Sequence, residues 1–238
     1  MKKSIHERFL DFKTRHGLTN EKIAQIAIEY ANSNLDFARS YFSEKYQISE
    51  YTFYKARDYA IIFCLVDNDT FKRIRDKSSS NYRRNNDQKS AASSLAHFDE
   101  LIVKRQEFLD GFSTAEILDI ARKYVEGLSV KNIALCYGTG EYAIKKLIKK
   151  GIVELIFDSV TVNQISSIVG DSLNKILKQR KANKNALLNC FQNKISFLES
   201  LIDCYDLYFR TSENKPDLET LSEELTNAIK MYNEILRL

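Results

Sequence analysis

"SVKNIALCYGTGEYAIKKLIKKG", residues 129–151, sets the reading of the whole chain. Ser129 is a good N-cap, because its hydroxyl can accept from an unpaired backbone N–H of a first helical turn. Val130, Ile133 and Ala134 then fall on one side of a short helix. Gly138 stands where a helix end wants a left-handed residue, a conformation glycine adopts without strain. Glu141 opens a second helix with an apolar face of Ile144, Leu147 and Ile148, and Gly151 is expected to close it. The result is two short helices around a tight glycine turn.

The spacing from Ala134 to Gly138 to Ile144 resembles the helix-turn-helix superfamily of DNA-binding proteins. The resemblance covers roughly twenty residues. It implies that the small residue lets the second helix cross closely, the glycine makes the turn, and the apolar residue anchors the recognition helix. One position departs from the pattern: Gly140 stands where a Ser or Thr cap is usual.

The stretch has a partner upstream. With a constant offset of 91, Tyr46 meets Tyr137, Glu50-Tyr51 meets Glu141-Tyr142, Phe53 meets Ile144, Lys55 meets Lys146, Asp67 meets Asp158 and Ile74 meets Ile165. "IAIEY" (26–30) matches "IARKY" (120–124) at an offset of 94. Ser49 is an N-cap for the first copy's recognition helix, and Ser113 with Glu116 forms a capping box ahead of the second copy. In the first copy Ser43 replaces Ala134 and Gln47 replaces Gly138, which implies a longer or strained turn. The chain is therefore read as all-α: a first helix-turn-helix module over 1–75, a polar basic linker over 76–94, a second module over 95–184 and a C-terminal antiparallel helical hairpin over 185–238.

Composition agrees. Pro occurs once and Gly 7 times in 238 residues, and helices reject both. No apolar run approaches the ~20 residues of a membrane helix. The start has charge throughout its apolar positions, unlike a signal peptide, so a cytoplasmic protein without membrane attachment is expected. Cys64, Cys136, Cys190 and Cys204 form no CxxC pair and read as reduced thiols; His6, His16 and His97 are too few for a metal cluster. No P-loop, nucleophile elbow, HExxH or GxGxxG is present, so no enzyme, cofactor or metal is expected. Glu199/Asp203 and Glu223/Glu224 read as solubilising charge. The net charge of +4 is mild, but seven Lys/Arg fall within 72–89 and five within 175–184.

Leu188, Phe191, Ile195, Leu198, Ile202, Tyr205 and Phe209 form one heptad seam, and Leu218, Leu221, Leu225, Ala228, Tyr232 and Ile235 a second beyond "TSENKP". A hairpin packing on its own domain and a dimerisation arm need the same stripe, so sequence leaves both open.

In a helix-turn-helix the second helix lies in the major groove. The DNA-contacting candidates are Thr139, Glu141, Tyr142, Lys145, Lys146 and Lys149 in the second copy, and Ser49, Tyr51, Thr52, Lys55 and Arg57 in the first. Arg83 and Arg84 of the linker are candidates for following phosphates or entering a minor groove. The expected function is sequence-specific binding of double-stranded DNA, as a transcriptional regulator with two copies forming an internal pseudo-dimer on half-sites ~34 Å apart. Tandem chains of this Lys-, Asn- and Ile-rich kind resemble proteins of phages and mobile elements in AT-rich bacteria. The alternative is a helical protein-interaction adaptor, an accessory protein of such elements, working through its C-terminal hairpin.

Overall fold

The computed structural model describes residues 4–33, 38–84, 88–205 and 217–238. Among them the chain is all-helical and has no strand. The helices are α1 (Ile5–His16), α2 (Asn20–Asn32), α3 (Ala38–Tyr46), α4 (Glu50–Ile62), α5 (Asn68–Arg84), α6 (Gln88–Asp110), α7 (Thr114–Val125), α8 (Val130–Cys136), α9 (Glu141–Val153), α10 (Ser159–Val169), α11 (Asn174–Asp203) and α12 (Leu218–Arg237). Two compact units divide the chain, Met1–Leu147 and Ile148–Leu238, with the boundary inside α9. The polar stretch 76–94 is not irregular chain: α5 and α6 run through all of it but 85–87, which lie outside the described residues.

The local signals act as their chemistry requires. Ser49, Ser113 and Ser129 each accept a backbone N–H of the first turn they cap. Glu116 closes the capping box on Ser113. The two aspartates matched at the offset of 91 do the same work: the N–H of Thr70 donates to Asp67 Oδ1 at 2.7 Å, and that of Thr161 to Asp158 Oδ1 at 2.7 Å. A carboxylate at a helix N-terminus is favoured by the free N–H groups and the helix dipole.

These caps belong to a wider recurrence at the offset of 91. α4 and α9 begin and end 91 residues apart, and so do the starts of α5 and α10. The left-handed residues Gln47 and Gly138 (φ 52° and 61°) correspond, and so do Cys64 and Leu155 (φ 53° and 62°). The N–H of Ile48 donates to Ser43 O at 3.0 Å, and that of Thr139 to Ala134 O at 3.0 Å. Lys55 lies over the ring of Tyr51 at 5.7 Å and Lys146 over that of Tyr142 at 5.5 Å. The glycine-free turn is thus not longer. Gln47 simply takes the left-handed conformation, at a cost of roughly 1–2 kcal/mol to a residue with a Cβ. Gln47→Gly is expected to raise stability by about 0.5–1 kcal/mol, the strain relief less the entropy lost by glycine on folding. A rise in thermal midpoint with unchanged helix content checks it.

The core of the first unit gathers Phe9, Ile26, Phe42, Phe53, Phe63 and Phe98 with their aliphatic neighbours. Phe9 stacks on Phe63 at 4.1 Å between ring centroids, and Phe42 on Phe53 at 5.5 Å. α4 runs through this core with α2, α3 and α6 against it. A chain of rings extends from it through Phe63–Phe108, Phe108–Phe112 and Phe112–Tyr137, at 4.8, 5.4 and 6.0 Å, to the turn after α8.

In the second unit Arg180 of α11 is buried and donates to the carbonyls of Ile152 at 3.0 Å and Phe157 at 2.8 Å, while Asn183 Nδ2 donates to Val153 O at 2.9 Å. They satisfy carbonyls that the end of α9 leaves without helical partners. Gly151 does not close α9, which continues to Val153; the ring of Phe157 fills the space its side chain would take. α11 and α12 pack on each other through Leu198, Leu221 and Ala228, with Phe191, Ile195, Ile202, Tyr205 and Leu225 partly covered. Phe209 and the "TSENKP" turn lie outside the described residues.

The capping carboxylates give the fold an acid sensitivity. The Thr70 N–H bond holds Asp67 below the usual carboxylate range, and the Thr161 hydroxyl and N–H do the same for Asp158. A depressed folded-state value means stability that is present above the unfolded value, ~4, and lost as pH falls through the lower folded value. Asp67→Asn with Asp158→Asn is expected to keep most of the neutral-pH stability, since Asn also caps well, and to flatten its decline below pH ~4. Denaturant titrations at pH 7 and pH 3 measure this.

Candidate nucleic-acid interface

Two helices were nominated as groove readers, and the structure treats them differently. In α9, Ala143, Ile144, Leu147 and Ile148 are buried while Glu141, Lys145, Lys146 and Lys149 are exposed. Its outward side is therefore basic. Among the described residues no carboxylate pairs with Lys145 or Lys149.

α4 has no such open side. Thr52, Phe53, Ala56, Arg57, Asp58, Ala60, Ile61 and Ile62 are all buried. Arg57 is 6% exposed, pairs with Asp58 at 3.0 Å and sits over the rings of Tyr54 and Phe98 at 5.0 and 5.4 Å. His97 of α6 reaches the other Asp58 oxygen at 3.1 Å. Burial opposes ionisation of Asp58, but the His97 bond and the Arg57 charge outweigh it, and the carboxyl lies below its ordinary range. Arg57, expected to contact DNA, is thus a buried cation paired within the first unit. Thr52, 2% exposed, is tied to Ser49 Oγ at 2.8 Å. Only Tyr51 at 67%, Ser49 and Glu50 are exposed at the start of the helix; Lys55 is half-covered. α6 packs against this helix.

Two candidates at the start of α9 are also covered. Thr139 is 4% exposed and donates through Oγ1 to the carbonyl of Phe63 at 2.8 Å. The N–H of Gly140 shares that carbonyl at 3.4 Å. Tyr142 is half-buried, with the Arg105 guanidinium 4.3 Å from its ring centroid. Arg105, from α6, also donates to Val66 O at 3.3 Å, Asn68 Oδ1 at 3.1 Å and Cys64 Sγ at 3.2 Å. The end of α4 is therefore capped by the start of α9, the negative end of one helix dipole against the positive end of the other. The Gly140 position explains itself here. A Cβ on it would lie 1.9 Å from Cys64 O and 2.6 Å from Leu65 Cα. A serine or threonine cap would collide with the backbone of Cys64 and Leu65.

This junction bounds the spacing of the two helices. Half of a 13-residue helix is about 10 Å long, so with the ends abutting the centres of α4 and α9 are at most ~25 Å apart. Half-sites one helical turn apart need ~34 Å. The distance between the two helix centres is thus shorter than the ~34 Å spacing expected for an internal pseudo-dimer.

The arginines that make these joints, Arg105 and Arg180, were not nominated; their only signal is a basic residue within an apolar helix stripe. Burial also removes Arg180 from the basic run 175–184. In 72–89, Lys77 is turned inward, donating to Tyr30 O at 2.9 Å with the Tyr30 ring 4.7 Å away. The side chains of Arg83 and Arg84 lie outside the described residues. Among the described residues no group of three His, Cys, Asp or Glu is placed to hold a metal ion, and no helix is long and apolar enough to cross a membrane. No protein-family model matches the chain, and neither a curated protein nor a solved structure matches it.

Proposed function

We propose that the chain binds double-stranded DNA through α9, and that it comprises two copies of one helix-turn-helix module followed by a C-terminal helical hairpin. The observation that carries this reading is the outward face of α9, where Lys145, Lys146 and Lys149 stand exposed on the helix that the spacing of Ala134, Gly138 and Ile144 nominates. The lysines pair with phosphates, and Glu141, exposed in the first turn, accepts from a cytosine N4 amine in the major groove. The first copy is a scaffold: its equivalent helix is enclosed, and its C-terminal end seats the start of α9.

Titration of the full chain with a labelled mixed-sequence duplex at several salt concentrations tests this. Three lysine–phosphate contacts predict a slope of log K against log salt near −2.7, roughly −0.9 for each. A slope near zero, or no binding at 50 mM salt, refutes the reading. Selection from sheared genomic DNA then separates roles. An enriched site marks a sequence-specific regulator; uniform recovery marks an architectural protein.

A further inference from the structure

The α11–α12 pair leaves much of its apolar surface open. Leu198, Leu221, Ala228 and Ile235 are buried, yet Phe197 is 62% exposed and Leu187, Leu218, Ile229, Met231 and Leu236 are also exposed. A pair of helices has one shared seam, and the six large apolar side chains left exposed on these two helices are surface that another element can cover.

Charge says what covers it. The two helices run in opposite directions: Lys184 Nζ donates to Leu236 O at 2.9 Å, and Lys194 pairs with Glu224 at 3.4 Å. One end of the pair therefore carries Lys175, Lys178, Lys181, Lys230 and Arg237, all exposed, with Glu234 as the acid among them. The other carries Glu199, Asp203, Asp217, Glu219, Glu223 and Glu224, all exposed, against Lys194. A surface basic at one end and acidic at the other is complementary to itself turned end for end. A two-fold interface presents the same patch from both copies in that way.

We propose that two copies of this chain associate through α11 and α12 in an antiparallel arrangement, the basic end of each pair against the acidic end of its partner. The arrangement stands apart from DNA binding, and its test contains no DNA. It also supplies what one chain lacks, since the enclosed α4 leaves a single open groove helix per chain.

The experiment is sedimentation velocity on the full chain at ~10 μM, with two charge-reversed variants. One carries Glu199→Lys, Asp203→Lys and Glu223→Lys, so both ends are basic; the other carries Lys175→Glu, Lys178→Glu and Lys181→Glu, so both ends are acidic. All six side chains are exposed, so the fold is expected to survive, and circular dichroism checks that it does. The wild type is expected to sediment as a dimer, twice 27.6 kDa. Each variant alone is expected to dissociate at least tenfold more readily, because attraction turns to repulsion at both symmetric contacts. An equimolar mixture is expected to recover the dimer. A monomeric wild type, variants as dimeric as the wild type, or a mixture that stays monomeric would each overturn the proposal.

Discussion

Gly140→Ala is expected to destabilise the first unit by at least about 3 kcal/mol, whereas Gly138→Ala two residues earlier costs about 1 kcal/mol. The two glycines serve different purposes. Gly138 has φ +61° and nothing within 4 Å of an added Cβ, so its alanine suffers only backbone strain. At Gly140 an added Cβ meets Cys64 O at 1.9 Å, Leu65 Cα at 2.6 Å and Cys64 C at 2.7 Å. These are backbone atoms in a turn held by the Leu65 N–H to Ala60 O bond at 2.9 Å, and they cannot swing aside as a side chain would. Relief requires the start of α9 to leave the end of α4, which breaks the Thr139 bond to Phe63 and withdraws Tyr142 from Arg105. A cost of that size arises from overpacking with loss of a buried hydrogen bond. Denaturant midpoints of the two variants measure the contrast; equal, small losses would mean that the joint is not packed as described.

Lys145→Ala with Lys149→Ala is expected to weaken DNA binding about fiftyfold at 0.1 M salt, since two lost contacts remove roughly 1.8 units from the salt slope. The loss should be similar on every sequence, because phosphates carry no base information. Both side chains are exposed, so stability should be unchanged within about 0.5 kcal/mol. The matched control is Tyr51→Ala with Lys55→Ala, the positions of α4 that lie 91 residues before Tyr142 and Lys146, which is expected to bind within twofold of the wild type. Anisotropy titrations of the three proteins on one duplex give both values.

The parts legible in the sequence are those decided within a few residues. Ser49, Ser113 and Ser129 cap because their hydroxyls reach the third N–H along, and Gly138 turns because that position is left-handed. The offset of 91 surfaced from identities such as Tyr46/Tyr137 and Asp67/Asp158, and the backbone follows it as far as the left-handed Cys64 and Leu155. What escaped is whatever another helix decides. Arg57-Asp58 looks like exposed charge on one helix, yet the pair is consumed inside, with Tyr54, Phe98 and His97 around it. Thr139 sits where a recognition helix begins, but Phe63, 76 residues away, claims its hydroxyl. The Ser- and Asn-rich stretch 76–94 has no apolar period to announce a helix, and α5 and α6 extend through it from better-marked segments.

The most direct test of the account is lysine reactivity along the folded chain, with and without duplex DNA, read by mass spectrometry after brief acetylation. Protection of Lys145, Lys146 and Lys149 on DNA, with Lys55 unchanged, is the result expected if α9 is the groove helix and α4 its support. Protection of Lys55 while the α9 lysines react as freely as before would contradict it.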